Sequence, residues 1–228
     1  MKFIHKILII ILLCSSSALL AQDLVRDFSA VYKKYLERNV YAVKMQSYQY
    51  VLGQSQARQI AEGVVIKHND QYIAKTEHIL TIKEKDQILY VDQAKKHLYL
   101  TKEDGQSNSL MNIEQYKQLI GILAKSEKSS LKEVNGKNIY QFQLNRNGIT
   151  AIEVVLKANE AMEKVVYYYD ASYFKEYDEQ PLKVETLYKE LAKSEWQIAD
   201  YTHANYYKKQ ENNYIPIGNY KNYRLTVR

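Results

Sequence analysis

Cysteine is almost missing from this 228-residue chain, with Cys14 the only one. A single thiol excludes an internal disulfide framework and a multi-thiolate zinc cage. Two prolines and seven glycines exclude a collagen-like repeat, a Pro-rich spacer and a Gly/Ser-rich linker. Long apolar runs are missing too: the one near the N-terminus goes from Ile7 to Leu13 and is too short to span a bilayer core of roughly 30 Å. The glycines form neither a G-x-x-x-x-G-K nor a G-x-G-x-x-G pattern, so no phosphate-cradling loop is expected. The strained G-x-S-x-G elbow of a nucleophilic serine is absent as well.

The N-terminus carries what those absences leave. Lys2 and Lys6 precede the apolar run, and Ser15-Ser16-Ser17-Ala18-Leu19-Leu20-Ala21 follows it. Charged, apolar and small-residue segments in that order predict a secretory signal peptide over 1–21, cut after Ala21. A lipidated Cys14 is the lesser expectation. Leu13 is bulky where a lipobox has a small residue, and apolar Ala18-Leu19-Leu20 stands where a polar tether would begin. Cleavage removes two of the 32 basic residues and none of the 26 acidic ones, leaving 30 against 26, or +4. It also removes the cysteine. The rest, 22–228, is long enough for one domain with one core.

Periodicity divides this region. Leu24, Phe28, Val31 and Tyr35 recur at helical spacing, with Lys33, Lys34, Glu37 and Arg38 opposite. From Val40 the period is two, and the apolar parity changes near Ser47, which predicts a bulge. Short alternating strands follow, separated by polar turns at His68-Asn69-Asp70, Glu84 to Gln87 and Gln93 to Lys96. A polar loop from Glu103 to Ser109 leads to a helix over Asn112–Lys125, with Tyr116, Leu119, Ile120 and Leu123 on one face and Asn112 with Gln115 placed for a capping box. Asn135-Gly136 and Asn147-Gly148 are hairpin turns. Strands resume at Tyr140 to Leu144, Ile149 to Leu156, Met162 to Tyr169 and Pro181 to Leu191. The segment from Trp196 to Arg228 is Tyr-rich, and is expected to add a strand or two and a surface tail. Nine or more antiparallel strands must curl as twist accumulates. The expected fold class is therefore α+β, mainly antiparallel β: a curled, incomplete β-barrel with helices covering its concave face. The expected domains are the signal peptide, 1–21, and a single domain, 22–228, with a Tyr-rich extension from about 206.

The side chains predict no catalytic set, no metal site and no cofactor. His68, His78, His97 and His203 lack helical zinc spacing and are expected to be solvated. Glu153 with Glu163, or Asp170 with Glu176 and Asp178, are carboxylates of the kind a glycosidase pairs, but in ordinary charged surroundings. The pairs Lys33-Lys34, Lys95-Lys96 and Lys208-Lys209 lie near tyrosines. Export and a charge of +4 argue against nucleic acid and leave a mixed-charge outer face, or contact with anionic head groups.

Two stretches carry a likeness to a known family. Glu62-Gly63-Val64-Val65-Ile66-Lys67 resembles a segment in which a glycine opens a strand ending in a basic residue. Glu77-His78-Ile79-Leu80-Thr81-Ile82, with Gln87-Ile88-Leu89-Tyr90-Val91-Asp92, resembles the hairpin that follows it. Both are features of the periplasmic outer-membrane lipoprotein carriers, the LolA-like family. Ile149 to Leu156 and Met162 to Tyr169 sit where that family has a later hairpin, and the resemblance covers most of 23–205. It implies a non-catalytic periplasmic chaperone whose apolar cavity shields the acyl chains of a lipoprotein or lipid. It also implies transfer partners at the inner and outer membranes. The residues expected to face that interior are Val43, Met45, Ile60, Val64, Ile66, Leu80, Ile82, Leu89, Val91, Leu98 and Leu100. Their alternative role is core packing. The family has an arginine-proline pair where this chain has His68 and Asn69, and the arginine helps to hold a helical lid closed. Neither residue here supplies a permanently charged fork of donors. An envelope interaction module with a filled core and a Tyr-rich binding surface is the competing expectation.

Overall fold

The computed structural model describes residues 24–34, 37–102, 112–211 and 213–228. The expected signal peptide, the 103–109 loop and Tyr35 lie outside the described residues. Helix α1 covers 24–34. Strands β1 (Val40–Val51), β2 (Arg58–His68), β3 (Gln71–Thr76), β4 (Ile79–Glu84), β5 (Gln87–Asp92) and β6 (His97–Lys102) follow. Helix α2 (Asn112–Leu123) precedes β7 (Lys128–Val134), β8 (Lys137–Arg146), β9 (Ile149–Leu156), β10 (Met162–Tyr169) and β11 (Pro181–Glu190). The chain ends in β12 (Tyr207–Gln210), β13 (Asn213–Pro216) and β14 (Arg224–Val227).

Twelve strands form one sheet in the order β14-β6-β5-β4-β3-β2-β1-β11-β10-β9-β8-β7, and β12 pairs with β13 apart from it. Pairing is antiparallel from β2 to β6 and from β7 to β11. The order ends at β14 and β7, so the sheet is unclosed. The fold is thus mainly antiparallel β with two described α-helices. The exception is β14, which lies parallel to β6.

Local chemistry sets the turns. Asn135 and Gly136 have φ of 52° and 70°, and Asn147 and Gly148 of 52° and 77°. Both central residues of a type I′ turn need this left-handed region, which Asn tolerates and Gly adopts freely. Val134 therefore faces Lys137, and Arg146 faces Ile149, across two-residue turns.

Two compact units divide the described residues: one from 24–37, 47–60 and 115–187, the other from 38–46, 61–102, 112–114 and 188–228. β1 passes between them at Ser47, the point where its apolar parity changes. In the first unit, Phe28 of α1 is fully buried against Tyr140 and Phe142 of β8, with ring centroids 5.5 and 6.4 Å apart. Burying such a ring is worth about 1.5–3 kcal/mol. Leu119 and Leu123 of α2 are also buried. Lys34 pairs with Glu160 at 3.0 Å and ties the end of α1 to the β9–β10 turn.

Candidate functional site

Strand register gathers most of the residues expected to hold an acyl chain. Ile66, Ile73, Ile82, Leu89 and Leu100 form one row across five strands. Leu80, Val91 and Leu98 form the next, continued by Leu225 of β14. Alternation puts both rows on one face, and Ile66, Leu80, Ile82, Leu89, Val91, Leu98 and Leu100 are at most 3% exposed. Val64 packs against this layer. Val43 is buried outside this layer, Met45 is half-buried, and Ile60 is 45% exposed. Gly63 lies inside β2 and does not open it. A Cβ there would come within 3.1 Å of the Lys75 carbonyl oxygen, so a larger residue would have to push the neighbouring strand by a few tenths of an ångström.

The C-terminal segment covers this apolar layer. Tyr206 and Tyr207 are buried in it, and Trp196, Ile198, Tyr201, Tyr214, Tyr220, Tyr223 and Leu225 pack around them. Aromatic pairs stitch the cover together: Tyr206 with Tyr220 at 4.7 Å, and Tyr207 with Tyr214 at 5.4 Å. Burial pushes the Tyr207 phenol up to about 12, and it raises those of Tyr206 and Tyr72 further. His203 corrects the expectation of solvated histidines, because it is only 7% exposed. Its Nε2 lies 3.1 Å from the Ile82 carbonyl oxygen, its Nδ1 lies 3.3 Å from the Tyr207 hydroxyl, and its main-chain N–H donates to Glu84 at 2.9 Å. His68, at the position where the resembled family has its lid arginine, meets Trp196 of this cover, with ring centroids 6.3 Å apart. Asn69 takes a turn position with φ of 54°.

Open space occurs in the other unit. A cleft of about 410 Å³ lies between α2 and the β8–β9 turn. Its floor is Ile122, Leu144 and Ile149; Lys125 and Arg146 stand on it with Gln118 and Asn147. The volume falls within the range of small-molecule sites. Among the described residues no carboxylate pairs with either cation. An apolar floor beside two cations suits an amphiphile with an anionic end. Neighbouring aromatics brace the turn: a Cβ on Gly148 would lie 2.7 Å from Tyr173 and 2.8 Å from Phe174. Phe174 in turn packs on Tyr169 and Tyr177.

Of the carboxylates that sequence pattern made glycosidase candidates, Glu153, Glu163 and Asp170 have structural partners. Asp170 accepts from the Ser172 N–H at 2.8 Å, and hydrogen bonds from Ser172 hold its carboxyl below the usual range. Glu163 pairs with Lys137 at 2.7 Å. Sequence reasoning found the Asn147-Gly148 turn but missed the cleft beside it. The available signal was Ile122, near the end of α2 and off the face of Leu119 and Leu123, with Lys125 in the turn that follows the helix.

No family model and no curated protein sequence matches this chain. It is similar to several solved structures. An uncharacterized conserved protein from Thermus thermophilus is 8% identical, over 89% of this chain and 98% of that one, with a TM-score of 0.42. A domain designated an outer membrane lipoprotein-sorting protein from Vibrio parahaemolyticus is 12% identical over 79% and 98%, with a TM-score of 0.32. A LolA superfamily protein from Nitrosomonas europaea is 9% identical over 74% and 92%, with a TM-score of 0.28.

Proposed function

We propose that this chain is a non-catalytic carrier of the cell envelope, shielding the acyl chain of a lipid or lipoprotein in transit across the periplasm. The observation that carries this reading is the cleft beside α2. It has an apolar floor in Ile122, Leu144 and Ile149, with Lys125 and Arg146 placed for a carboxylate or phosphate. Each methylene taken out of water is worth about 0.8 kcal/mol, so a partial enclosure is enough to favour an escorted chain over a free one. Partners that load and unload at the two membranes follow from this role. The layer of Ile66, Ile82, Leu89 and Leu100 serves as a second acyl site only if its Tyr-rich cover moves aside.

Native mass spectrometry and lipid extraction of the protein from its own envelope, with uptake of a fluorescent fatty acid, test the reading. Co-purified lipid and saturable uptake are expected. Ile122→Lys, on a half-exposed helical position, should weaken uptake at least about tenfold without unfolding the chain. Absence of lipid together with absence of uptake sinks the reading, and uptake indifferent to Ile122→Lys removes the cleft from it. A second reading, a protein-interaction module, is favoured by the exposed rings of Tyr173 and Tyr177, 59% and 66% accessible.

A further inference from the structure

The face of the first unit turned away from Phe28 has a different chemistry. Register sets Lys128, Gln143, Ala151 and Tyr168 in a row across β7, β8, β9 and β10. Ser130, Gln141 and Glu153 form the row beside it. Ala151 is the small residue among long ones, so the sheet surface dips there, leaving a depression of about 380 Å³ between these side chains.

The carboxylate in its wall is held in place. Glu153 is 15% exposed; its Oε2 accepts from Gln141 Nε2 at 3.1 Å, and its Oε1 lies 3.3 Å from Lys164 Nζ. Lys164 also faces Glu185 at 3.6 Å, and Glu185 accepts from the Tyr50 hydroxyl at 2.9 Å. Burial pulls the Lys164 ammonium down, but the hydrogen bond and charge of Glu153 and the charge of Glu185 outweigh it, and it stays charged above the ordinary lysine range. Burial and the nearby Glu153 raise the Tyr168 phenol above its ordinary value.

We propose that this depression binds a neutral saccharide. A hydroxyl both donates and accepts, so a polyol needs acceptors and donors side by side. Glu153 is a fixed acceptor, the amides of Gln141 and Gln143 serve both roles, and Ser130 and Tyr168 offer hydroxyls. The Tyr168 ring supplies an apolar wall for the C–H face of a sugar. The site is distinct from the cleft at α2 and independent of the carrier reading.

Titration of the mature chain with neutral oligosaccharides, maltotetraose and chitotetraose, followed by backbone-amide NMR, tests the proposal. At least one is expected to shift the amides of 128–130, 141–143, 151–153 and 168. Gln143→Ala lies on an exposed wall and should fold normally while weakening binding about tenfold. Glu153→Gln should weaken it by at least as much. Fatty-acid uptake should be unchanged in both variants, which separates this site from the carrier function. Absence of shifts with both sugars, shifts elsewhere on the protein, or affinity untouched by Gln143→Ala and Glu153→Gln overturns the proposal. So does tighter binding of inorganic phosphate at the same amides.

Discussion

At the scale of single residues, Gly148 carries two requirements at once. Its φ of 77° belongs to the left-handed region, and Tyr173 and Phe174 occupy the space a side chain would need. Gly136, with φ of 70°, has the same conformation but open space around its Cα. Gly136→Ala should therefore cost about 1 kcal/mol, the conformational term alone. Gly148→Ala adds a clash with rings held by Tyr169 and Tyr177, and should cost about 3 kcal/mol or more. Urea unfolding of the two variants checks this, and equal losses would show that the aromatic cluster yields freely. Because Arg146, Asn147 and Ile149 line the cleft, Gly148→Ala should also reduce fatty-acid uptake, whereas Gly136→Ala should leave it alone.

The elements differ in how openly the chain announces them. Strands β2 to β6 and β8 to β10 were legible because their apolar residues alternate over six or more positions and their turns carry Asn, Asp, Lys or Gly. β12 and β14 were not, since four-residue strands hold too few positions to set a period, and β14 pairs with β6 across more than 120 positions of chain. The fate of the Tyr-rich segment was hidden for the same reason: tyrosine suits a wet surface and a buried seam equally. Its burial has a consequence in alkali. The Tyr207 phenol ordinarily ionises near 10 and is pushed up to about 12 in the fold, so the folded state holds its proton longer than the unfolded state. The stability this reflects, on the order of 2–3 kcal/mol, is complete below pH 10 and is lost as pH rises through 12. Thermal melts between pH 8 and 12 should show this loss, with Tyr207→Phe flattening it. A melting curve of Tyr207→Phe as steep in alkali as that of the parent chain would refute the assignment.

For the molecule as a whole, the proposed carrier role has two apolar surfaces competing for an acyl chain. The amphipathic strands announced the layer from Val64 to Leu100, but a strand pattern reads the same whether the facing volume is empty or occupied by the chain's own tyrosines. The cleft at α2 depends on a helix and a turn more than twenty residues apart, a juxtaposition that no local period records. A reversible clamp distinguishes the two surfaces. Tyr99 of β6 and Thr226 of β14 are register partners, both half-buried, on adjacent parallel strands about 5 Å apart, within the span of a disulfide. Tyr99→Cys with Thr226→Cys, in a chain beginning at Gln22, has no competing thiol. Oxidation then locks the β14 end of the Tyr-rich cover over the apolar layer, while leaving Ile122, Leu144 and Arg146 untouched. Fatty-acid uptake within about twofold of the reduced form is expected if the cleft is the site. A tenfold fall on oxidation, reversed by reductant, would instead place the acyl chain beneath the cover and make displacement of β14 the loading step.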